Sequence, residues 1–219
     1  MTSANIPPSD DRLVWCAVYG SNLLKKRFNC YIAGGKPDGS KTDYPGCRDK
    51  TPPREDLPIT LTHALYFAGH SNSWDGAIAF VRHAASGAQT LGRMFLICYG
   101  QFNDVVRQEN ARGVPGAIVV PLYDELAHSD RWPIDAYRLY GRFIKIGVED
   151  GHPVLTLTAT QDNFAVGNPS EAYVKTIAAG LEETYPCMGK SGILDYLGKA
   201  EGISGLIQPD VLGTWLVGR

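Results

Sequence analysis

The stretch LVWCAVYGSNLLKKRFNCYIAGG, residues 13–35, changes rhythm at Gly20-Ser21-Asn22. Residues 13–19 are an almost continuous apolar run of strand length, and such a run predicts a strand buried on both faces. Beyond the junction, Leu24, Phe28, Tyr31 and Ile32 fall on one face of a helix, with Lys25, Lys26 and Arg27 on the other, and Gly34-Gly35 ends it. A strand covered on both faces that hands over to an amphipathic helix in three residues needs packing partners on either side.

The rest of the chain supplies them. Further strands are expected at 65–68, 77–81, 92–98, 117–122, 142–148 and 154–160. The intervening HSNSWDG, AASGAQ and EDGHP segments are rich in turn formers. Helices are expected at 102–111, 170–185 and 191–201, and residues 34–58 carry no period and read as a long loop that can serve as a lid. Strands outnumber helices without a regular βαβ alternation, which points to an α+β fold with a closed or strongly curved mixed sheet and packed helices. With 219 residues, 44% hydrophobic and 20% charged, the chain reads as one globular domain over 12–219 after a flexible lead-in over 1–11.

A formal net charge of −2 with scattered basic residues argues against nucleic acid as a partner. No apolar stretch approaches the roughly 20 residues needed to cross a bilayer, and the N-terminus has no cationic segment followed by an apolar one; a cytoplasmic protein is expected. Five widely spaced cysteines, Cys16, Cys30, Cys47, Cys98 and Cys187, include no C-x-x-C pair and suit reduced thiols. The five histidines offer no metal-ligand spacing, so no metal site is expected.

One helix carries a misplaced charge. At about 100° per residue, with Phe102 as origin, Val105 falls at about 300°, Val106 at about 40° and Glu109 at about 340°. Glu109 therefore sits on the apolar stripe although polar positions were available to it. A carboxylate held in an apolar setting either finds a cation or gains proton affinity, and the second outcome makes it a proton carrier near neutral pH. In the later helix Tyr173, Ile177 and Leu181 share a face, with Ser170 as N-cap, and Tyr173 carries a hydroxyl into that face. At the 20–22 junction the first amides of the following helix lack acceptors and carry the positive end of its dipole, so an anion or polarised carbonyl can bind there. Ser21 lacks the G-x-S-x-G elbow of a nucleophile, and the junction lacks the longer glycine spacing of a phosphate loop. A plain helix cap is the simpler reading of the same residues.

YGSNL at residues 19–23, QFNDVVRQEN at 101–110 and PSEAYVKTIAAGLEE at 169–183 together resemble the γ-glutamylcyclotransferase-like superfamily. The resemblance implies a small mixed β-barrel flanked by helices, with no cofactor. It implies Glu109 as general acid/base, a substrate-binding loop of Tyr19, Gly20, Ser21, Asn22 and Leu23, and a hydroxyl from Tyr173. The implied reaction is attack of a γ-glutamyl group's own α-amine on its γ-carbonyl, releasing an amine or amino acid and 5-oxoproline. The implied partner is a small γ-glutamyl or other acyl-amide substrate. Two departures stand out: Asn110 follows Glu109 where the family commonly has glycine, and the 34–58 loop is long, with Arg48 and Arg54 placed to meet an acidic substrate group. Amide hydrolysis or acyl transfer in the same cavity, and ligand binding without turnover, are the alternative functions.

Overall fold

The computed structural model describes residues 10–37, 43–110, 121–133, 140–161 and 164–217. Its centre is β1, Leu13–Val18, whose four inner residues are buried. Val14 and Cys16 pack with Phe28, Tyr31 and Ile32 of helix α1 (Lys25–Ala33) and with Phe102, Val105 and Val106 of helix α2 (Tyr99–Asn110). Trp15 and Ala17 pack on the other face with Met94 and Val154. Side chains alternate across a strand, so an apolar residue at every position is the signature of cover on both sides.

β2 (Glu55–Ser71) and β3 (Gly76–Cys98) form one long hairpin. Segments 77–81 and 92–98, expected as separate strands, are the two ends of β3. Between the pairs Leu61↔Thr90 and His63↔Ala85 the second strand has four residues against one, so the AASGAQ segment bulges without ending the strand. β1 pairs antiparallel with β3 and parallel with β6 (His152–Thr158). β5 (Arg142–Glu149) pairs antiparallel with β6, and β4 (Arg131–Pro133), unforeseen in the sequence, adds to β5. Among the described residues the sheet order is β2-β3-β1-β6-β5-β4.

This sheet curls without closing, which corrects the expected barrel. β2 is one edge and β4 the other. The outer edge of β2 at Phe67 and Gly69 is taken instead by later segments, through Phe67 N to Glu201 O at 2.7 Å and Gly69 N to Ala165 O at 3.1 Å. An edge whose amides already have acceptors does not need a further strand. The curl still brings Leu57 and Ile59 of β2 and Ile146 of β5 against Trp15 on the concave face.

Helices α3 (Glu171–Thr184), α4 (Gly189–Gly198) and α5 (Pro209–Val217) share the second core, with Val174, Ile177, Leu181, Ile193, Leu197 and Leu212 buried against Phe67 and Phe80. Helix α5 was not expected, although Pro209 at its first position and Leu212, Trp215 and Leu216 at helical spacing signal it. Of the earlier expectations, residues 1–9 of the lead-in, 117–120 of the proposed strand and Ala111 lie outside the described residues; Pro121 and Leu122 are not strand.

Candidate functional site

The chain does not pass directly from β1 into α1. Residues Ser21–Leu23 form a single 3-10 turn with Gly20 as its N-cap, and α1 begins only at Lys25 after the extended Leu24. Leu23 N donates to Gly20 O at 3.0 Å and Leu24 N to Ser21 O at 3.3 Å. Neither Ser21 nor Asn22 caps a helix with its side chain. Both side chains are used elsewhere. Ser21 Oγ accepts from Arg27 Nε at 2.8 Å, and Asn22 Nδ2 donates to Glu109 Oε1 at 2.9 Å.

These residues line a cavity of about 360 Å³. β1 and the turn contribute residues 16–22, α1 contributes Arg27 and Tyr31, and α2 contributes Val105, Glu109 and Asn110. Tyr44 enters from the 34–58 loop, Trp74 from the tip of the β2–β3 hairpin, Tyr140 from before β5 and Tyr173 from α3. The cavity is thus assembled from segments far apart in sequence, held by the two cores on either side.

Glu109 is half-buried on the last turn of α2, the apolar neighbours Val105 and Val106 being fully packed. A carboxylate only accepts, so Asn22 must turn its amide nitrogen to Glu109, which leaves Oδ1 as an acceptor. That oxygen is buried and has no partner among the described residues. Tyr173 Oη accepts from Ala79 N at 3.1 Å and also faces the Ser21 amide. Both neighbours are donors, so the hydroxyl proton is not used by them. Burial pushes the Tyr173 hydroxyl up to about 12, and the proton stays on at neutral pH. Tyr31 and Tyr140 are likewise raised well above the ordinary tyrosine range, chiefly by burial. Cys16 lies in the same wall, and burial, then the charge of Glu109, pushes its thiol up to about 12. A protonated thiol is a wall, not a nucleophile.

Arg27, expected on the polar face of α1, is 7% exposed. Its guanidinium lies over the Trp74 ring at 4.9 Å, and Nη2 donates to the Tyr44 hydroxyl at 3.3 Å. Nη1 is buried and has no partner among the described residues. Burial works against its charge, while Tyr31, Tyr44 and Glu109 support it, and the net effect keeps the proton on.

With this architecture in view, a solved γ-glutamyl cyclotransferase superposes with a TM-score of 0.50 over 94% of this chain and 100% of its own, at 15% sequence identity. The fold is that of a γ-glutamyl cyclotransferase. A second solved structure, of an uncharacterised protein from Homo sapiens, matches with a TM-score of 0.46 at 15% identity over 93% of this chain and 96% of its own. Histone deacetylase 5 of Arabidopsis thaliana is 35% identical over an alignment 187 residues long that covers 78% of this chain and 28% of that relative. The match spans little more than a quarter of a longer protein, whose name describes the whole. No family model matches the chain.

Within the cyclotransferase fold, Tyr19, Gly20, Ser21, Asn22, Glu109 and Tyr173 meet at one cavity. Leu23 does not line it: its side chain is fully buried and its amide is used within the turn. The loop arginines are not among the lining residues either. Arg48 binds Asp104 on α2 at 3.1 Å through Nε, and Arg54 is exposed ahead of β2. Tyr44, Gly46 and Cys47 of the same loop are hydrogen-bonded to Gly35, Gln108 and Ile32, and its expected last residues, 55–58, are the start of β2. Asn110, the departure beside Glu109, donates to Tyr140 O at 2.9 Å and accepts from Tyr140 N at 3.3 Å, tying the end of α2 to another cavity residue. No helix of the described residues is long and apolar enough to cross a membrane.

Proposed function

We propose that the cavity cyclises a γ-glutamyl compound, with Glu109 as general acid/base. The observation that carries this reading is the 2.9 Å bond between Asn22 Nδ2 and Glu109 Oε1, which fixes a carboxylate beside the residue 20–22 turn. The fold likeness supports it.

The substrate's α-ammonium lies between the unpartnered Asn22 Oδ1 and the Glu109 carboxylate and gives a proton to Glu109. The amine nitrogen then attacks the γ-carbonyl carbon, forming the ring C–N bond. The Gly20 and Asn22 amides and the Tyr173 hydroxyl proton stabilise the resulting oxyanion; one such donor contributes about 2.7–4 kcal/mol in acyl-transfer sites. Collapse breaks the bond to the departing amine, which takes the proton back from Glu109; the freed carboxylate then takes the second proton of the ring nitrogen and passes it to the same amine. The products are 5-oxoproline and the amine as its ammonium, with no net proton change and Glu109 returned to its starting state. Because the nucleophile belongs to the substrate, the thiol of Cys16 and the hydroxyl of Ser21 are not required.

Incubation of the purified protein with γ-glutamyl amines, amino acids and peptides, followed by detection of 5-oxoproline, tests the reading. The name of the Arabidopsis relative describes removal of an acyl group from an amine, so an acetyl-lysine peptide belongs in the same panel. Turnover should fall by about 100-fold or more in Glu109→Gln, the range of a lost general acid/base. Persistence of full activity in that variant removes Glu109 from the mechanism. Incorporation of oxygen-18 from water into the acyl product replaces cyclisation with hydrolysis, and a ligand that stabilises the protein yet stays chemically unchanged replaces catalysis with binding.

A further inference from the structure

Among the described residues that line the cavity, one fixed positive charge, Arg27, has incomplete hydrogen bonding. Arg27 is buried, yet its bonds go to neutral oxygens, Ser21 Oγ at 2.8 Å and Tyr44 Oη at 3.3 Å. Nη1 has no partner, and among the described residues no carboxylate is paired with this guanidinium. Glu109, the cavity's own carboxylate, is committed to Asn22. Arginine is among the residues least often buried unless paired, because its charge is costly to desolvate. Here the side chain is also pre-shaped: Trp74 lies under the guanidinium plane at 4.9 Å, and Ser21 and Tyr44 fix its rotation. A planar cation locked in orientation with a free N–H is suited to a carboxylate oxygen.

We propose that Arg27 makes this cavity selective for a ligand bearing a carboxylate, which takes the free Nη1–H beside Trp74. The proposal deepens the cyclotransferase reading by naming the residue that recognises a substrate carboxylate, and it rests on that reading only for turnover. Recognition at Arg27 also accounts for the bond to Ser21: the residue 20–22 turn is held by the same guanidinium that meets the ligand, so binding and positioning are coupled through one side chain.

The test compares matched acids and amides on the full chain, by calorimetry and by tryptophan fluorescence, with Trp74→Phe identifying the share that comes from Trp74. The pairs are 5-oxoproline and its carboxamide, γ-glutamylalanine and γ-glutamylalaninamide in the Glu109→Gln background, and glutarate and glutaramide. At least one acid should bind about tenfold or more tightly than its amide, as expected of a charge-assisted bond. In Arg27→Met, and in Arg27→Gln, which retains a donor for Ser21, that preference should vanish, the acid losing more affinity than the amide. Equal binding of acid and amide in every pair, or a preference that survives both substitutions, overturns the proposal. If Arg27→Met does not fold, the Arg27→Gln ratio decides. If only the glutarate pair binds, with the Arg27 dependence intact, the carboxylate site stands and the γ-glutamyl reading falls.

Discussion

Asn22 and Glu109 lie 87 residues apart in sequence and are joined by a 2.9 Å hydrogen bond that ties the turn after β1 to the last turn of α2. The bond orients a carboxylate that otherwise has free rotamers, and it leaves Asn22 Oδ1 as the complementary acceptor. Replacing Asn22 by Ala removes both. On whichever substrate the panel identifies, turnover should fall about 100-fold, the scale of a mispositioned catalytic group. One lost hydrogen bond is worth about 1 kcal/mol, which corresponds to a fall in Tm of about 2–4 °C for a chain of this size. A steady-state assay together with a thermal melt separates the two effects, and an unchanged kcat removes Asn22 from the site.

Gly20 and Tyr173 make a second coupled pair. A Cβ at Gly20 would stand 3.0 Å from Tyr173 Oη and 3.5 Å from the Ala79 side chain. The hydroxyl cannot retreat freely, because it accepts from the Ala79 amide. Gly20→Ala should therefore cost about 1–3 kcal/mol by overpacking. Tyr173→Phe should cost about 1–3 kcal/mol by leaving a buried amide unpaired. In the double variant the clash is relieved, and the loss should be smaller than the sum by at least about 0.5 kcal/mol. Denaturant unfolding of the four proteins measures the cycle, and strict additivity refutes the contact.

Local pattern was enough to read β1 from its unbroken apolar run, and the existence of α2 and the Tyr173 face of α3 from neighbours three or four residues away, although α2 starts at Tyr99, three residues before the expected position. Arg27 was not legible. By spacing it belongs with Lys25 and Lys26, and what buries it are Tyr44 and Trp74, which reach it from a loop and from a hairpin tip. Trp74 itself gave a signal in the one large aromatic residue of an otherwise polar turn segment, HSNSWDG. The two ends of β3 read as separate strands for a different reason: Ser86 and Gly87 have turn chemistry, and only pairing with β2 keeps the strand continuous around them. The order of strands and helices left a closed and a curved sheet open and the resemblance favoured closure, whereas the bonds from Glu201 and Ala165 to the β2 edge depend on pairings of more than 90 residues' separation that no local pattern encodes.

Gly180, inside α3, sets helix propensity against packing. Alanine there should gain about 1 kcal/mol of helix stability. Its Cβ, however, would lie 2.5 Å from both Leu23 Cβ and Leu24 N, and a backbone atom cannot swing aside. Overpacking costs about 1–3 kcal/mol and more when backbone must move, so the net change should be a destabilisation of about 2 kcal/mol. The displaced segment carries the residue 20–22 turn, and ligand affinity should fall with stability. A more stable Gly180→Ala protein would show that α3 does not seat against this turn.

The turn is also braced from below by charge. Arg93 is nearly buried; it binds Asp56 through Nε at 2.8 Å and again through Nη2, reaches Glu183 at 3.0 Å and donates to Leu23 O at 3.3 Å. Burial alone would raise the Asp56 carboxyl, but hydrogen bonds from Lys25 and Arg93 outweigh it and hold the group below its ordinary value of 3.8. A carboxyl depressed in the folded state binds protons more weakly there than in the unfolded chain. Its contribution is therefore complete above the unfolded value and is lost as pH falls through the folded one. Unfolding free energy measured from pH 6 downward should decline below about pH 4 in the wild type. In Asp56→Asn that part of the decline should be missing, while the neutral-pH stability is lower because Arg93 loses its main counter-charge. Arg93→Met should lose about 3 kcal/mol at neutral pH, the lower end for breaking a buried pair, since Asp56 retains Lys25 and some water. Parallel acid slopes for wild type and Asp56→Asn would assign the acid sensitivity to other carboxylates and leave Asp56 a spectator.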